Sequence, residues 1–459
     1  MSKETFRDAL FGWLTIVAKN ASEASFRYSE RQTWVKDGDA AHSSMRSETL
    51  LLAQWVEAYI DSMRKVPEWT EVVEEALTWH ELAEHIATNC GCVGHYGTIY
   101  ADLGLLLQSF LPPIRFNSES KQTGTGLSLL WFDTEFARFA SFIECPSMAF
   151  RYTTVIAGLI VPDEMLPLTL GDDVVLERLS PDMTEMFGSF GMIRGPMFMG
   201  RPGPYENPNQ PWLSLRWSRS FPKLKRTADN ASHADFIGED NNDTDNIRDA
   251  FLGALALTRF GVVFLGSTAQ TQEDWSIGGF TFTLTNRTPD MRSTEGAMTL
   301  DFEDLLMART LFEKLRALKK SDDKIGIATR RLAFAMENTR DEDRLLDGMI
   351  AAEAVLDTDT EIKYKFALRA AYLLEPTDEK ERRAIFDDLT HAYNVRSKLS
   401  HGAKANPGDL KISGVKVTLA EFVKRIEDKI RRVVRSVVLS GNVPDWNELI
   451  IGKKSETTK

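Results

Sequence analysis

The chain has 459 residues, 43% of them apolar and 27% charged. That is ordinary globular composition with enough length for two or three hydrophobic cores. Three cysteines cannot staple a protein of this size, which excludes a disulfide scaffold and suits a reducing compartment. The net charge of -12 excludes a surface coated everywhere with nucleic-acid contacts, but the charge is uneven. From Lys324 to the end there are 25 basic against 22 acidic residues (+3), which leaves 30 against 45 (-15) for residues 1–323.

The start, MSKETFRDALFGWLTIVA, places Asp8 ahead of a short apolar stretch with no small-residue cleavage pattern after it, so a cytoplasmic protein is expected. Residues 1–115 read as a helical region, with apolar residues at helical intervals in Thr49 to Met63 and again from Trp69 to Ile86. Pro112-Pro113 closes it. His80, His85, Cys90, Cys92 and His95 cluster here, but Cys-x-Cys spacing and a histidine pair five apart do not match four convergent zinc ligands. A helix end with ordinary core thiols is expected, and no metal or other cofactor is assigned.

From Trp131 to Asp301 the texture changes to short β-like runs: Tyr152 to Val161, Leu168 to Leu179, Trp212 to Trp217, Val262 to Gly266 and Phe280 to Thr285. A Pro/Gly-rich loop, Gly195 to Pro211, and a polar stretch expected to be mobile, Thr227 to Asp245, lie between them. One helix, Asn246 to Phe260, interrupts the strands. The longest apolar stretch, Phe251 to Gly266, contains Arg259 and is too short for a bilayer, so no membrane partner is expected.

After Asp301 every long segment is helical: Phe302 to Lys320, Ile325 to Leu356, Glu361 to Leu374, Asp378 to His401 and Thr418 to Leu439, with Thr377 and Gly402 as caps of the fourth. The fold class expected is multi-domain α+β. A helical N-terminal region (1–115) precedes a central mixed α/β domain (131–301) and a C-terminal all-α helical bundle (321–445).

The fourth of these helices carries the most chemistry. Its inward stripe reads Ile385, Leu389, Ala392, Arg396, Leu399. A guanidinium in a core-facing slot needs a carboxylate, for which Glu353 and Asp347 are the candidates, or a cleft that receives an anion. His401 follows in the last turn, where the helix dipole favours the protonated ring and suits proton transfer. Together they supply a phosphate clamp and a general acid/base for attack of an RNA 2′-hydroxyl on its 3′-phosphate. Five residues of helix advance about 7.5 Å and turn about 140°, so one chain's pair diverges, and two copies across a two-fold axis would be needed to enclose one phosphate. On spacing alone, a structural ion pair at Arg396 and a helix-end role for His401 explain the same residues. The basic series Lys424, Arg431, Arg432 and Arg435, with Lys398, reads either as an RNA-tracking face or as a solvated amphipathic face.

The run Tyr393-Asn394-Val395-Arg396-Ser397-Lys398-Leu399-Ser400-His401-Gly402 resembles the Arg-x4-His motif of the HEPN superfamily, in its Apea-like branch. The resemblance extends upstream through Asp343-Arg344-Leu345-Leu346-Asp347, Ala352 to Leu356 and Tyr364 to Leu374, and covers about residues 325–440. It implies a metal-independent endoribonuclease acting on RNA as a homodimer through the C-terminal bundle, often in defence against phage. The acidic front against the balanced, motif-bearing back separately suggests that the first three hundred residues sense a phage-derived or protein trigger or restrain the nuclease. The resemblance implies catalytic roles for Arg396 and His401, with Ser397 as the polar residue after the arginine and Glu353 and Asp347 in support. Many active members carry Asn, Asp or His where Ser397 stands. Ala403 stands where members inactivated by nucleotidyl transfer have tyrosine. The alternative is a non-catalytic HEPN module that binds RNA or protein.

Overall fold

The computed structural model describes residues 2–23, 29–37, 40–48, 64–87, 91–94, 97–100, 103–107, 110, 129–171, 173–180, 183, 212–223, 231–273, 281–283, 297–318, 324–338, 340–356, 361–406 and 408–452. Over these residues the chain is mostly helical, with one six-stranded antiparallel sheet and four two-stranded pairs, in keeping with the α+β class.

The first section contains α1 (Ser2–Glu23), the hairpin β1 (Ser29–Asp37) and β2 (Ala40–Glu48), α2 (Pro67–Thr78), α3 (His80–Ala87), a second hairpin of β3 (Gly91–Gly94) and β4 (Gly97–Tyr100), and α4 (Leu103–Leu107). The expected all-helical region is therefore corrected by two hairpins. The helix expected over Thr49 to Met63 lies outside the described residues, as does Pro112-Pro113.

A second correction follows. Trp131 does not open a run of strands, because Leu129–Glu144 is a helix, α5. Phe132, Phe136, Phe139 and Ile143 recur at helical spacing and bury one face. They pack with Phe6, Trp79 and Phe110, with the Trp79 and Phe139 rings edge-on at 6.0 Å. Burying each such ring contributes roughly 1.5–3 kcal/mol, so this cluster binds α5 to α1 and α2.

The sheet has six strands in the order β11-β10-β5-β9-β8-β7, every neighbour antiparallel: β5 (Ser147–Ala157), β7 (Leu168–Thr169), β8 (Val174–Arg178), β9 (Leu213–Pro222), β10 (Phe264–Gln272) and β11 (Thr281–Thr283). Two short strands, β6 (Leu159–Ile160) and β12 (Met298–Thr299), pair in parallel beside it. The described parts of the expected strand runs fall on or directly beside these strands, while Asp172, Phe280, Leu284 and Thr285 lie outside the described residues. The Pro/Gly-rich loop Gly195 to Pro211 lies outside the described residues.

The polar stretch read as mobile is instead largely the first half of a 28-residue helix, α6 (Ala231–Thr258). Its apolar second half buries Phe251 and Leu255. Polar anchoring also holds it down: Asp243 accepts from Arg219 and Arg316, and the buried Arg248 donates to Thr268 Oγ1 (2.8 Å) and the Gly266 carbonyl (3.0 Å) at a bulge in β10.

The C-terminal section has α7 (Phe302–Ala317), α8 (Lys324–Glu337), α9 (Asp341–Leu356), α10 (Ile362–Leu374), α11 (Glu379–Ser400), the small hairpin β13 (Lys411–Ile412) and β14 (Val415–Lys416), α12 (Leu419–Ser440) and α13 (Trp446–Ile451). The single helix expected from Ile325 to Leu356 is two helices that pack on each other. Helix α12 is the most amphipathic. Thr418 caps its start, Gly441 at φ 78° ends it, and Phe422, Ile426, Ile430, Val433 and Val437 form its buried stripe. Most buried apolar side chains from Phe6 to Trp446 belong to one connected cluster, and Val155, Leu179 and Ala269 form a small second one.

Candidate functional site

Helix α11 presents the motif. Asp378, not Thr377, is its N-cap, with Oδ1 accepting from Glu381 N at 3.0 Å. Thr377 is used one step earlier: its N–H and hydroxyl, with the Asp378 N–H, all donate to Glu375, and these bonds hold the Glu375 carboxyl below its ordinary range. At the other end His401 is the C-cap and Gly402 takes φ 76°. The Gly402 N–H donates to Leu399 O (2.9 Å) and the Ala403 N–H to Lys398 O (3.0 Å), which closes the last turn and leaves His401 exposed.

Arg396 is half-buried beside the core stripe of Ile385, Leu389, Ala392 and Val395. Its Nη2 donates to Glu353 Oε2 at 3.1 Å, with the two side chains 24% and 20% exposed. The contact is single. Arg396 Nε and Glu353 Oε1 are both buried without a hydrogen-bond partner, although guanidinium and carboxylate can pair at two points. Tyr393 lies one turn back, its ring centroid 5.5 Å from Arg396 Cζ. Burial and the nearby Glu353 carboxylate push the Tyr393 phenol up.

Asp347 is corrected. It accepts from Arg331 Nη1 (3.0 Å) and Asn338 Nδ2 (2.7 Å), joining α8 to α9, and does not reach Arg396. In the same stretch Arg344 bonds both oxygens of the buried Glu427 (3.1 and 2.5 Å) and stacks on Phe260. Burial raises the Glu427 pKa against the opposing pull of Arg344. The Asp-Arg-Leu-Leu-Asp segment thus supplies struts of the bundle.

Arg431 is also corrected. It is 12% exposed, and Nε donates to the Ala256 carbonyl at the end of α6 (2.8 Å) while Nη1 lies 3.6 Å from Asp428. A guanidinium spent on a helix C-terminus cannot track an RNA backbone. Lys398 is engaged too, by Asp409 at 2.6 Å, a pairing that lowers the Asp409 pKa. Arg432, Arg435 and Ser397 are half-buried and Lys424 is exposed.

Of the His/Cys cluster, His80 is exposed on α3 while His85 is buried against Phe142, ring centroids 5.5 Å apart. These two do not converge. Cys90 and His95 lie outside the described residues. Among the described residues no group of three His, Cys, Asp or Glu side chains is arranged to hold a metal, and no helix is long and apolar enough to cross a membrane.

Sequence reasoning missed Asp388, 2% exposed on α11, which accepts from Ser413 N–H (2.6 Å) and pairs with Lys429 (3.4 Å). Its one signal was an acid within a core-facing stretch. The chain matches no family model, no curated protein and no solved structure.

Proposed function

We propose that the chain is an endoribonuclease of HEPN type, with Arg396 and His401 as its working pair and a role as a defence or toxin effector. The observation that carries this reading is the state of Arg396. It sits at a partly open position, bound by one N–H where two are available, next to a helix end that presents an exposed imidazole.

In this mechanism the His401 imidazole of one copy takes the proton from the RNA 2′-hydroxyl, whose oxygen attacks the adjacent phosphorus. The phosphorus–5′-oxygen bond breaks, and the leaving oxygen takes a proton from the second copy's imidazolium. The products are a 2′,3′-cyclic phosphate and a 5′-hydroxyl. Arg396 holds the phosphate oxygens as charge builds on them. The residues diverge by about 140° around α11, so a homodimer through the C-terminal bundle completes the site. No metal takes part.

We assign the RNA-cleaving role to a bundle spanning 321–445, and the sensing of a phage-derived or protein trigger, or restraint of the nuclease, to the region of 1–115 and the domain of 131–301, in a cytoplasmic protein. The acidic balance of residues 1–323 against the positive balance of the remainder supports this division. His401→Ala, tested on total RNA, is expected to abolish cleavage while the protein stays folded. Undiminished cleavage overturns the assignment.

A second reading, a non-catalytic module, is favoured by the Arg396–Glu353 ion pair itself, which also suits a structural strut. It predicts that Arg396→Ala lowers stability with no RNA turnover to lose.

A further inference from the structure

From the last turn of α11 onward the chain turns cationic. Residues 396–416 hold Arg396, Lys398, Lys404, Lys411 and Lys416 against the single acid Asp409, a balance of +4 in a protein of net charge -12. Lys398 and Asp409 neutralise each other, and that bond also ties the last turn of α11 to the approach to β13.

The remaining lysines are held in a particular way. Ser413 (φ 48°) and Gly414 (φ 79°) form a two-residue turn with both residues left-handed, the geometry that joins twisted strands most directly. The strands pair Ile412 with Val415 and Lys411 with Lys416, and a bond from the Val417 N–H to Leu410 O (3.0 Å) follows. Leu410 and Ile412 point inward, 5% and 3% exposed. Alternation therefore turns Lys411 outward, and Lys416, directly opposite it, shares that face.

Directly opposed side chains start roughly 4.5–5.5 Å apart at Cβ, and like charges there are destabilising. None of the ion pairs among the described residues involves Lys404, Lys411 or Lys416. The hairpin is nonetheless firmly based. The buried Asp388 receives the Ser413 N–H and is itself paired with Lys429, which pins the turn to α11 and α12. A rigid support beneath two opposed, unneutralised cations is the arrangement expected where an external anion completes the charge balance.

We infer that the β13–β14 hairpin, with Lys411 and Lys416 on its outer face and Lys404 at its approach, is a phosphate-binding platform for single-stranded RNA next to the motif-bearing end of α11. Lys404 follows His401 by three residues, so their Cα atoms lie within roughly 11 Å. A strand whose phosphate sits at His401 then runs onto the hairpin. This placement beside a cleavage site rests on the ribonuclease reading, whereas RNA binding by the hairpin does not.

The test uses the full chain and a fluorescein-labelled 2′-O-methyl oligouridine about 12 nucleotides long, which cannot be cleaved through its 2′ position, titrated by anisotropy across salt concentrations. Lys411→Gln/Lys416→Gln is expected to weaken binding roughly tenfold and to reduce the log–log salt slope by about 1.4, two phosphates at about 0.7 each for a single strand. Its melting temperature should be unchanged or higher, because the substitution relieves a like-charge pair. The charge-matched control Lys363→Gln/Lys380→Gln should bind as wild type.

An unchanged slope in the hairpin variant overturns the proposal, as does an equal loss in the control. Hairpin-dependent binding to phosphatidylserine vesicles without hairpin-dependent binding to the oligonucleotide overturns it in favour of a membrane surface. If wild type binds RNA through the hairpin but cleaves none, the ribonuclease reading fails and the platform stands. If it cleaves RNA and the hairpin variant binds and cleaves as wild type does, the platform fails alone.

Discussion

Arg396 meets Glu353 through one N–H at 3.1 Å, and Arg396 Nε and Glu353 Oε1, both buried, are left without hydrogen-bond partners. A partly buried pair with its second bond unmade is held less tightly than its burial permits. Removing either partner strands the other charge, so Arg396→Ala and Glu353→Ala should each cost about 2 kcal/mol, less than for a fully buried pair because both side chains keep some water contact. The double variant should cost less than the sum by on the order of 1 kcal/mol. Chemical denaturation of the four proteins measures this, and strict additivity would show that the pair contributes nothing.

The Arg344–Glu427 pair behaves differently. Both carboxylate oxygens are bonded, the side chains are 15% and 5% exposed, and the guanidinium also covers Phe260. Arg344→Ala should destabilise by about 3–5 kcal/mol, because a buried carboxylate loses its partner. Arg344→Met with Glu427→Leu should recover most of that loss. Thermal unfolding distinguishes the outcomes, and a single variant as stable as wild type would refute the strut role.

His85 gives the protein an acid-labile point on α3. Burial first, then the charge of Lys223, lowers its pKa from 6.5 to about 4. The unfolded chain protonates near 6.5 while the folded state stays neutral to about 4, so the unfolded state binds more protons between these values. Stability therefore falls as pH drops through that window, by on the order of 2 kcal/mol at pH 5 relative to pH 7.5. His85→Met should flatten this dependence between pH 5 and 7, whatever its effect at neutral pH.

Gly402 and the end of α11 offer a backbone test. Its φ of 76° is left-handed, and a Cβ there would meet nothing within 4 Å, so any cost is conformational and not steric. Gly402→Ala should lose about 1 kcal/mol, and Gly402→Asn less, since asparagine tolerates this region. Equal melting temperatures for all three would contradict the helix-end geometry that presents His401.

The C-terminal helices were legible in the sequence because their apolar residues recur at three and four with capping residues at the ends, as in α12 between Thr418 and Gly441. Helix α5 was not. Its phenylalanines also suit strands, and only the distant partners Phe6 and Phe110 assign them to a helix face. The polar start of α6 carries almost no periodic signal, and Arg219 and Arg316 anchor it at Asp243 from other elements. At the site, charge pairing correctly paired Glu353 with Arg396 but also suggested Asp347, which Arg331 and Asn338 occupy instead. Arg431 read as surface because nothing local reveals that Ala256 lies against it.

The most direct measurement of the central claim is product analysis on a defined oligoribonucleotide, in chelator, with and without a single 2′-deoxy substitution at the cleaved position. Wild type is expected to leave a 2′,3′-cyclic phosphate, and both the deoxy substrate and His401→Ala are expected to stop the reaction. Cleavage of the deoxy substrate, or a requirement for added divalent metal, would contradict that claim.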